Sequence, residues 1–433
     1  MLPISSRPSP VDMSFDDAFL AAAESIGRRI VAEAVWHDGV CSWVGAVAEP
    51  TPPWRAEYRA LDPVLYDGTA GVGLFLAQLA AVTDEAPVRR TALGALRHAV
   101  SRARVLPPAR RDGFHAGSLG IAWAAVRGAA LVDDDELRIS AFRLAATAGP
   151  PSGRERRHDV VMGSAGTVLA LLALAEVFEE PGLVDEAVST GDELVGAATV
   201  TRHGSSWAAP SRRGRRHLCG VSHGAAGIGW ALIELFAATE DERFRSAAMG
   251  AFAYERSWLR DGTWPDLRIP GDRRGAVQAT PSPALGTWCH GEGGIALTRL
   301  RAIEVLGQDG FQDEAEIALE ATRREVARVL AEEIEDLTLC HGAAGAAEVL
   351  LGGARALGGR WRDAACLARE LGEVAIDRYG AEGSGWPCGA AGGTAPTLFR
   401  GLSGIGWWFL RLHDAMIDSP LTFPVLTLGH KQA

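Results

Sequence analysis

Gly224-Ala-Ala-Gly-Ile-Gly-Trp-Ala-Leu-Ile-Glu-Leu-Phe236 is the stretch that decides the fold. Two glycines three positions apart open a run that is apolar on nearly every side, the pattern of a buried helix. The same opening recurs at Gly68-Thr-Ala-Gly71, Gly117-Ser-Leu-Gly120, Gly163-Ser-Ala-Gly166, Gly291-Glu-Gly-Gly294, Gly342-Ala-Ala-Gly345 and Gly401-Leu-Ser-Gly404. Glycine is abundant, 51 of 433 residues, against an average of about 7%. Chance alone therefore yields about six such tetrapeptides, and Gly389-Ala-Ala-Gly392 is one out of step. Shared context sets the seven apart: small middle residues, spacings of 46 to 67 residues, and an apolar helical run after most of them.

Between successive motifs lies a second, more charged helical pattern, as in Asp313–Leu330 and Trp361–Tyr379. Each repeat thus reads as one outer amphipathic helix and one inner apolar helix. The glycines are expected to supply positive φ and close helix approach at the turn. Two-helix units that cannot bury their own faces stack on their neighbours. The apolar inner helices favour closure, because an open arc would leave one long face wet. The expected fold is all-α: a seven-fold α/α toroid of about fourteen helices, with the glycine turns gathered at one end.

No linker divides the chain, so residues 1–433 read as a single domain, with 1–20 a loose N-terminal arm and 201–220 a loop insertion. That insertion carries Arg212-Arg-Gly-Arg-Arg216, read as a solvated loop or a contact for an acidic peptide stretch. The hydrophobic share is 47%, the charged share 22% and the net charge −11. Such a chain can bury a core, and the acidic balance argues against nucleic-acid binding. No apolar run reaches a bilayer-spanning length, and the start has no signal-peptide core. Six cysteines without a secretory signal do not read as a disulfide framework. A cytoplasmic location is expected.

The chemistry lies on the turns. The residue before each first glycine is Asp67, Ala116, Met162, His223, His290, His341 and Arg400 in turn. The residue before that is Tyr66, His115, Val161, Ser222, Cys289, Cys340 and Phe399. Repeats five and six carry Cys-His-Gly in full. If the turns converge, these side chains meet, and thiolate with imidazole is a donor set for zinc, Zn2+. A helix start also favours the thiolate form of a cysteine. Cys289, Cys340, His341 and His290 offer more than the three ligands a catalytic site needs. Cys41, Cys366 and Cys388 read as inert thiols, whereas Cys219, four before His223, could reach the site. Asp159 reads equally as a turn former or as the partner of a histidine base. Glu292 reads as a helix-start carboxylate, and Trp288, Trp407 and Trp408 as ring packing.

Trp288-Cys-His-Gly291, Leu339-Cys-His-Gly342, Ser222-His-Gly-Ala-Ala-Gly227 and Asp159-Val-Val-Met-Gly-Ser-Ala-Gly166 together resemble the lanthionine synthetase C-like (LanC) family. Leu65-Tyr-Asp-Gly-Thr-Ala-Gly71 and Phe399-Arg-Gly-Leu-Ser-Gly-Ile-Gly406 look more like the cyclase domain of the fused, LanM-type and kinase-bearing lanthipeptide synthetases. The resemblance spans roughly residues 60 to 430. It implies a seven-fold toroid with one zinc that adds cysteine thiols to dehydroalanine or dehydrobutyrine of a precursor peptide, closing (methyl)lanthionine rings. By similarity Cys289, Cys340 and His341 would hold the zinc, His223 would be the acid/base residue and Asp159 its partner. His290 joins the candidate catalytic residues.

Two positions depart from the standalone nisin-type cyclases, which carry an arginine where Leu285 stands and a tyrosine where His290 stands. The second departure matches the fused enzymes, whereas the first leaves enolate stabilisation unassigned, with Arg400 as candidate substitute. The implied partner is a dehydrated precursor peptide, with dehydration left to separate dehydratase or kinase-lyase proteins. Rival readings are other chemistry on the same architecture (prenyl transfer or glycoside hydrolysis) and a zinc-binding scaffold or glutathione- or peptide-binding protein without cyclase activity. Hydrolysis would need two opposed carboxylates, which the Cys-His turns do not offer.

Overall fold

The computed structural model describes residues 15–48, 56–111, 113–147, 157–211, 214–268, 286–307, 310–381, 385–388 and 394–423. Seven inner helices start at the seven glycine turns: α2 (Thr69–Thr83), α4 (Ser118–Val132), α6 (Ser164–Phe178), α8 (Ala225–Thr239), α10 (Glu292–Leu306), α12 (Ala343–Leu357) and α14 (Leu402–His413). Their outer partners are α1 (Phe15–Ala32), α3 (Ala86–Arg102), α5 (Asp135–Thr147), α7 (Pro181–Ala197), α9 (Glu242–Arg256), α11 (Phe311–Ala331) and α13 (Arg362–Tyr379). Each inner helix contacts the next, and α14 contacts α2, so the inner ring closes on itself. The N-terminal α1 packs on the last inner helix, α14. Chain start and chain end thus form one unit, sealed by the stacked rings of Phe19 and Phe409, 6.2 Å apart. Among the described residues fourteen helices form the double ring of the expected toroid.

Burial follows the two patterns. In α6 every residue from Ser164 to Ala175 is buried, because an inner helix touches two inner neighbours and an outer helix. In α11 burial is confined to one face, including Phe311, Ala315, Leu319, Thr322 and Val326. Phe423, from the segment after α14, sits 4.8 Å from Trp230, 6.0 Å from Phe114 and 5.6 Å from His115 between ring centroids. Trp288, Trp407 and Trp408 are buried packing residues.

Charges inside the apolar helices are paired across the ring. Arg301 of α10 grips Glu234 of α8 through two 2.7 Å hydrogen bonds, and Arg411 of α14 reaches Glu348 of α12 at 2.6 Å. Single carboxylates in apolar runs, such as Glu234, are therefore ionic links between neighbouring inner helices.

Three details differ from the sequence expectation. The turn glycines do not take positive φ: the first glycine of each turn lies between −98° at Gly342 and −160° at Gly401. Crowding is the reason for glycine instead. At the second glycines, from Gly71 to Gly404, a Cβ would fall on the carbonyl oxygen of the residue six positions earlier. The arm expected over 1–20 is helix from Phe15, with Phe19 in the core; residues 1–14 lie outside the described residues. The insertion at 201–220 is two β-hairpins, β5 (Thr199–Thr201) with β6 (Gly204–Ser206) and β7 (Ala208–Ser211) with β8 (Gly214–His217). Arg212 lies outside the described residues. After α1 the chain repeats this plan, with β1 (Val35–His37) and β2 (Val40–Ser42), then β3 (Val44–Ala48) and β4 (Ala56–Ala60). Between each hairpin pair stands a buried tryptophan. Trp43 donates to the Ile30 carbonyl and Trp207 to that of Leu194, both at 2.8 Å. No helix among the described residues is long and apolar enough to cross a membrane.

Candidate metal centre and acid/base pair

Among the described residues six of the seven turns share one backbone geometry. The first amide of an inner helix donates to the carbonyl seven residues earlier: Thr69 to Asp62, Ser118 to Arg111, Ser164 to Arg157, Ala225 to Leu218, Ala343 to Asp336 and Leu402 to Ala395, at 2.8–3.0 Å. Main-chain hydrogen bonds then tie turn to turn. The Tyr66 amide donates to His115 (2.9 Å), Ala116 to Val161 (3.2 Å), Ser222 to Cys289 (3.0 Å), Cys289 to Cys340 (3.3 Å), Cys340 to Phe399 (2.9 Å) and Phe399 to Tyr66 (3.0 Å). This belt converges the positions where the sequence places its cysteines and histidines.

Cys289, Cys340 and His341 put one ligand atom each within 4.8 Å of one another. The two sulfurs are unequal. Cys340 is buried, whereas Cys289 is partly exposed. The hydrogen bond with Cys340, and then that with His341, hold Cys289 well below the usual thiol range, while burial pushes Cys340 well above it. A thiolate beside a thiol and an imidazole is a site where a divalent metal can replace the remaining proton. Two thiolates and one imidazole fit zinc and leave a fourth position for a substrate. His341 Nε2 also lies 3.6 Å from Asp336 Oδ2. Burial opposes charge on His341, but the Cys289 hydrogen bond and the Asp336 carboxylate raise its pKa nonetheless. A cavity of about 360 Å³ opens beside His341, with Glu325, Glu332, Glu333, Glu335 and Asp336 on its wall.

Next to these groups stands a histidine pair. The His223 and His290 rings lie 5.5 Å apart at 37°. Asp159 Oδ2 is 3.3 Å from His223 Nδ1, and Asp159 Oδ1 accepts the Met162 amide at 2.7 Å. Burial alone would raise the Asp159 carboxyl, yet His223, the Met162 amide and Arg157 together keep it below the usual range. His290 Nε2 contacts Ser222 Oγ at 3.1 Å. Burial drives the His290 pKa down to about 4, so at neutral pH its ring is uncharged. All six residues singled out in the sequence therefore meet at one end of the ring.

Other candidates fall elsewhere. Cys219 is buried against Glu255 and belongs to no metal-holding group among the described residues. Cys366 is exposed, and Cys41 is buried with its thiol on the Thr91 carbonyl at 3.4 Å. Glu292 is an anchor, its carboxylate accepting the hydroxyl of Thr263 and the amide of Trp264. Leu285 lies outside the described residues. Arg400 is close enough for its charge to act on Tyr66, Asp67, Cys340 and His341. A second cation, Arg268, interacts with both site cysteines while Asp266 clamps it at 2.7–3.1 Å. Sequence reading passed over Arg268, His115 and Tyr66. His115 and Tyr66 occupy the same register as Cys289 and Cys340, a signal that was present; Arg268, outside any motif, had none.

The family described as "Lanthionine synthetase C-like protein" matches residues 59–428. Among solved structures the chain is similar to "Nisin cyclase", at 18% identity and a TM-score of 0.62, over 82% of this chain and 89% of that one. It is also similar to a GH76 α-mannanase of Bacteroides thetaiotaomicron, at 10% identity and a TM-score of 0.48 over 91% and 95% of the two chains. The cellobiose 2-epimerase of Spirochaeta thermophila gives 15% and 0.46 over 95% and 100%. No curated protein sequence matches. The likeness to nisin cyclase concerns the fold.

Proposed function

This chain belongs to the lanthionine synthetase C-like family, and on that premise we propose that it is a cytoplasmic, zinc-dependent lanthipeptide cyclase. Its substrate would be a precursor peptide already carrying dehydroalanine or dehydrobutyrine, supplied by separate dehydrating proteins. The observation that carries this reading is the Cys289, Cys340 and His341 cluster beside the His223–Asp159 contact of 3.3 Å. A pair of opposed carboxylates plays no part in it.

In this reading Cys289, Cys340 and His341 hold the metal. Zinc, when bound, supplies Lewis acidity that favours the thiolate form of a cysteine at neutral pH. The reaction adds S–H across a carbon–carbon double bond: sulfur bonds to Cβ, the π bond breaks, and a proton reaches Cα. Asp159 Oδ2 contacts the His223 ring on its Nδ1 side, which leaves Nε2 to take a proton and return it. His223 serves as base toward the thiol, as acid toward Cα, or both in turn. His290, neutral by burial, borders His223 and keeps a second positive charge out of the pocket. Arg268 and Arg400 supply positive charge near the sulfur pair, where the enolate develops.

Two measurements test the proposal. Elemental mass spectrometry should find about one zinc per chain, largely lost in Cys340→Ala. A dehydrated peptide incubated with the zinc-loaded protein should lose alkylatable thiols without a change in mass. Zinc without thiol loss above background would transfer the protein to the scaffold or glutathione-binding reading.

A further inference from the structure

The first turn contributes a side chain to the sixth. The Tyr66 hydroxyl lies 2.7 Å from Cys340 Sγ, although 274 residues separate them in sequence. Two constraints hold it there. The Tyr66 amide and carbonyl are both engaged in the main-chain belt, at 2.9 and 3.0 Å. Its ring stacks on Phe399 at 4.9 Å and 14°, which fixes the direction of the C–O bond.

Cys340 is only 2% exposed, so water cannot serve as donor to its sulfur. A buried sulfur that ligates a metal as thiolate is stabilised by a hydrogen-bond donor from the protein. The Tyr66 O–H, aimed at that sulfur, is such a donor. Cys289, partly exposed, has no equivalent need.

We propose that Tyr66 is a positioning residue of the metal centre, its hydroxyl donating to the Cys340 sulfur and holding that sulfur in place as a ligand. This rests on the reading of Cys289, Cys340 and His341 as zinc ligands. Outer partners of this kind orient the ligands and set their donor strength. The ring of Tyr66→Phe keeps the stack on Phe399 and loses only the hydroxyl.

The test compares wild-type protein, Tyr66→Phe and Phe399→Leu, each loaded with zinc and, separately, with cobalt(II). Chelator competition should show zinc bound about tenfold more weakly by Tyr66→Phe. Its sulfur-to-cobalt charge-transfer band should move to longer wavelength, because a sulfur relieved of its donor is more easily oxidised. Phe399→Leu keeps the hydroxyl and the main-chain belt and should shift the band less than Tyr66→Phe does. Replacing Tyr66 with 3-fluorotyrosine, a stronger donor of the same shape, should move the band the opposite way and keeps the test alive if Tyr66→Phe does not fold. Wild-type metal binding with an unchanged band and affinity in Tyr66→Phe would overturn this inference and leave the zinc reading standing. An equal shift in Phe399→Leu would also overturn it, by assigning the effect to packing. A wild-type protein that binds neither metal would overturn both.

Discussion

Asp159 Oδ2 stands 3.3 Å from His223 Nδ1, across the junction of the third and fourth turns. The carboxylate is nearly buried, 3% exposed, and Arg157 Nε shares its Oδ2 at 3.2 Å. In the cyclase reading such a contact leaves Nε2 of the imidazole to serve the reaction. Asp159→Asn keeps the shape and removes that charge. Cyclisation should slow by about a hundredfold, with zinc content unchanged because Asp159 is no metal ligand in this reading. Thiol alkylation time courses with parallel zinc analysis check it; loss of zinc together with activity would mean that Asp159 holds the site together instead.

The segment that carries His223 is anchored by a buried acid, and this gives a pH signature. Glu255 Oε1 accepts the amides of Gly220 at 3.1 Å and Ala226 at 2.9 Å. Burial nonetheless pushes its pKa from the usual 4.5 up to about 7. A raised acid means that the folded state holds its proton more tightly. Stability from this group is complete below about 4.5 and is lost as the pH rises through about 7. At 1.36 kcal/mol per unit the loss is about 3 kcal/mol. Glu255→Gln can accept the same two amides and has no such titration. The denaturant-unfolding difference between wild type and variant should therefore drift in the variant's favour between pH 5 and pH 8. A constant difference over that range would show that Glu255 does not titrate there.

Architecture was legible in this chain because every inner helix starts with the same crowded turn. At Gly227 a Cβ would strike the Val221 carbonyl oxygen, and at Gly294 that of Trp288, so the motif is a steric requirement repeated seven times. The cluster of Cys289, Cys340 and His341 was legible for the same reason: equivalent turn positions converge when the ring closes. What escaped were contacts between turns. Nothing local to Tyr66 announces Cys340, since only ring closure through Phe399 brings them together. The hairpins were missed although Asp38-Gly39, with φ of 47° and 80°, is a strong two-residue hairpin turn. Strands of three residues around it are too short for alternation to register.

Four inner helices end on an acidic residue where glycine or asparagine is usual. Asp84, Asp133, Glu179 and Glu240 take left-handed φ of 53–57° and give two-residue links to the next outer helix. A residue with a Cβ pays about 1–2 kcal/mol there, and glycine recovers most of it while adding chain entropy to the unfolded state. Glu240→Gly should gain about 0.5–1 kcal/mol, and the four changes together about 2–4 kcal/mol, read from denaturant midpoints with an unchanged slope. Separation above 7–10 Å makes such changes nearly additive. A loss of stability on Glu240→Gly would mean that its side chain contributes more than the backbone strain costs.

The Arg301–Glu234 pair joins α10 to α8 with both side chains 3% exposed, and Trp230 Nε1 also donates to Glu234 Oε1 at 2.9 Å. Desolvation makes the intact pair a modest net contributor, but a lone charge left in its place is costly. Glu234→Leu leaves the buried Arg301 guanidinium with only the exposed Glu304 carboxylate, 2.8 Å from Nη1, and should lose about 3 kcal/mol. Arg301→Leu leaves the buried carboxylate with Trp230 Nε1 as its remaining donor and should lose a comparable amount. The double replacement removes both charges and should recover most of the deficit. A coupling energy near zero across this double-mutant cycle would show that the two charges are solvated independently and that the inner ring does not depend on them.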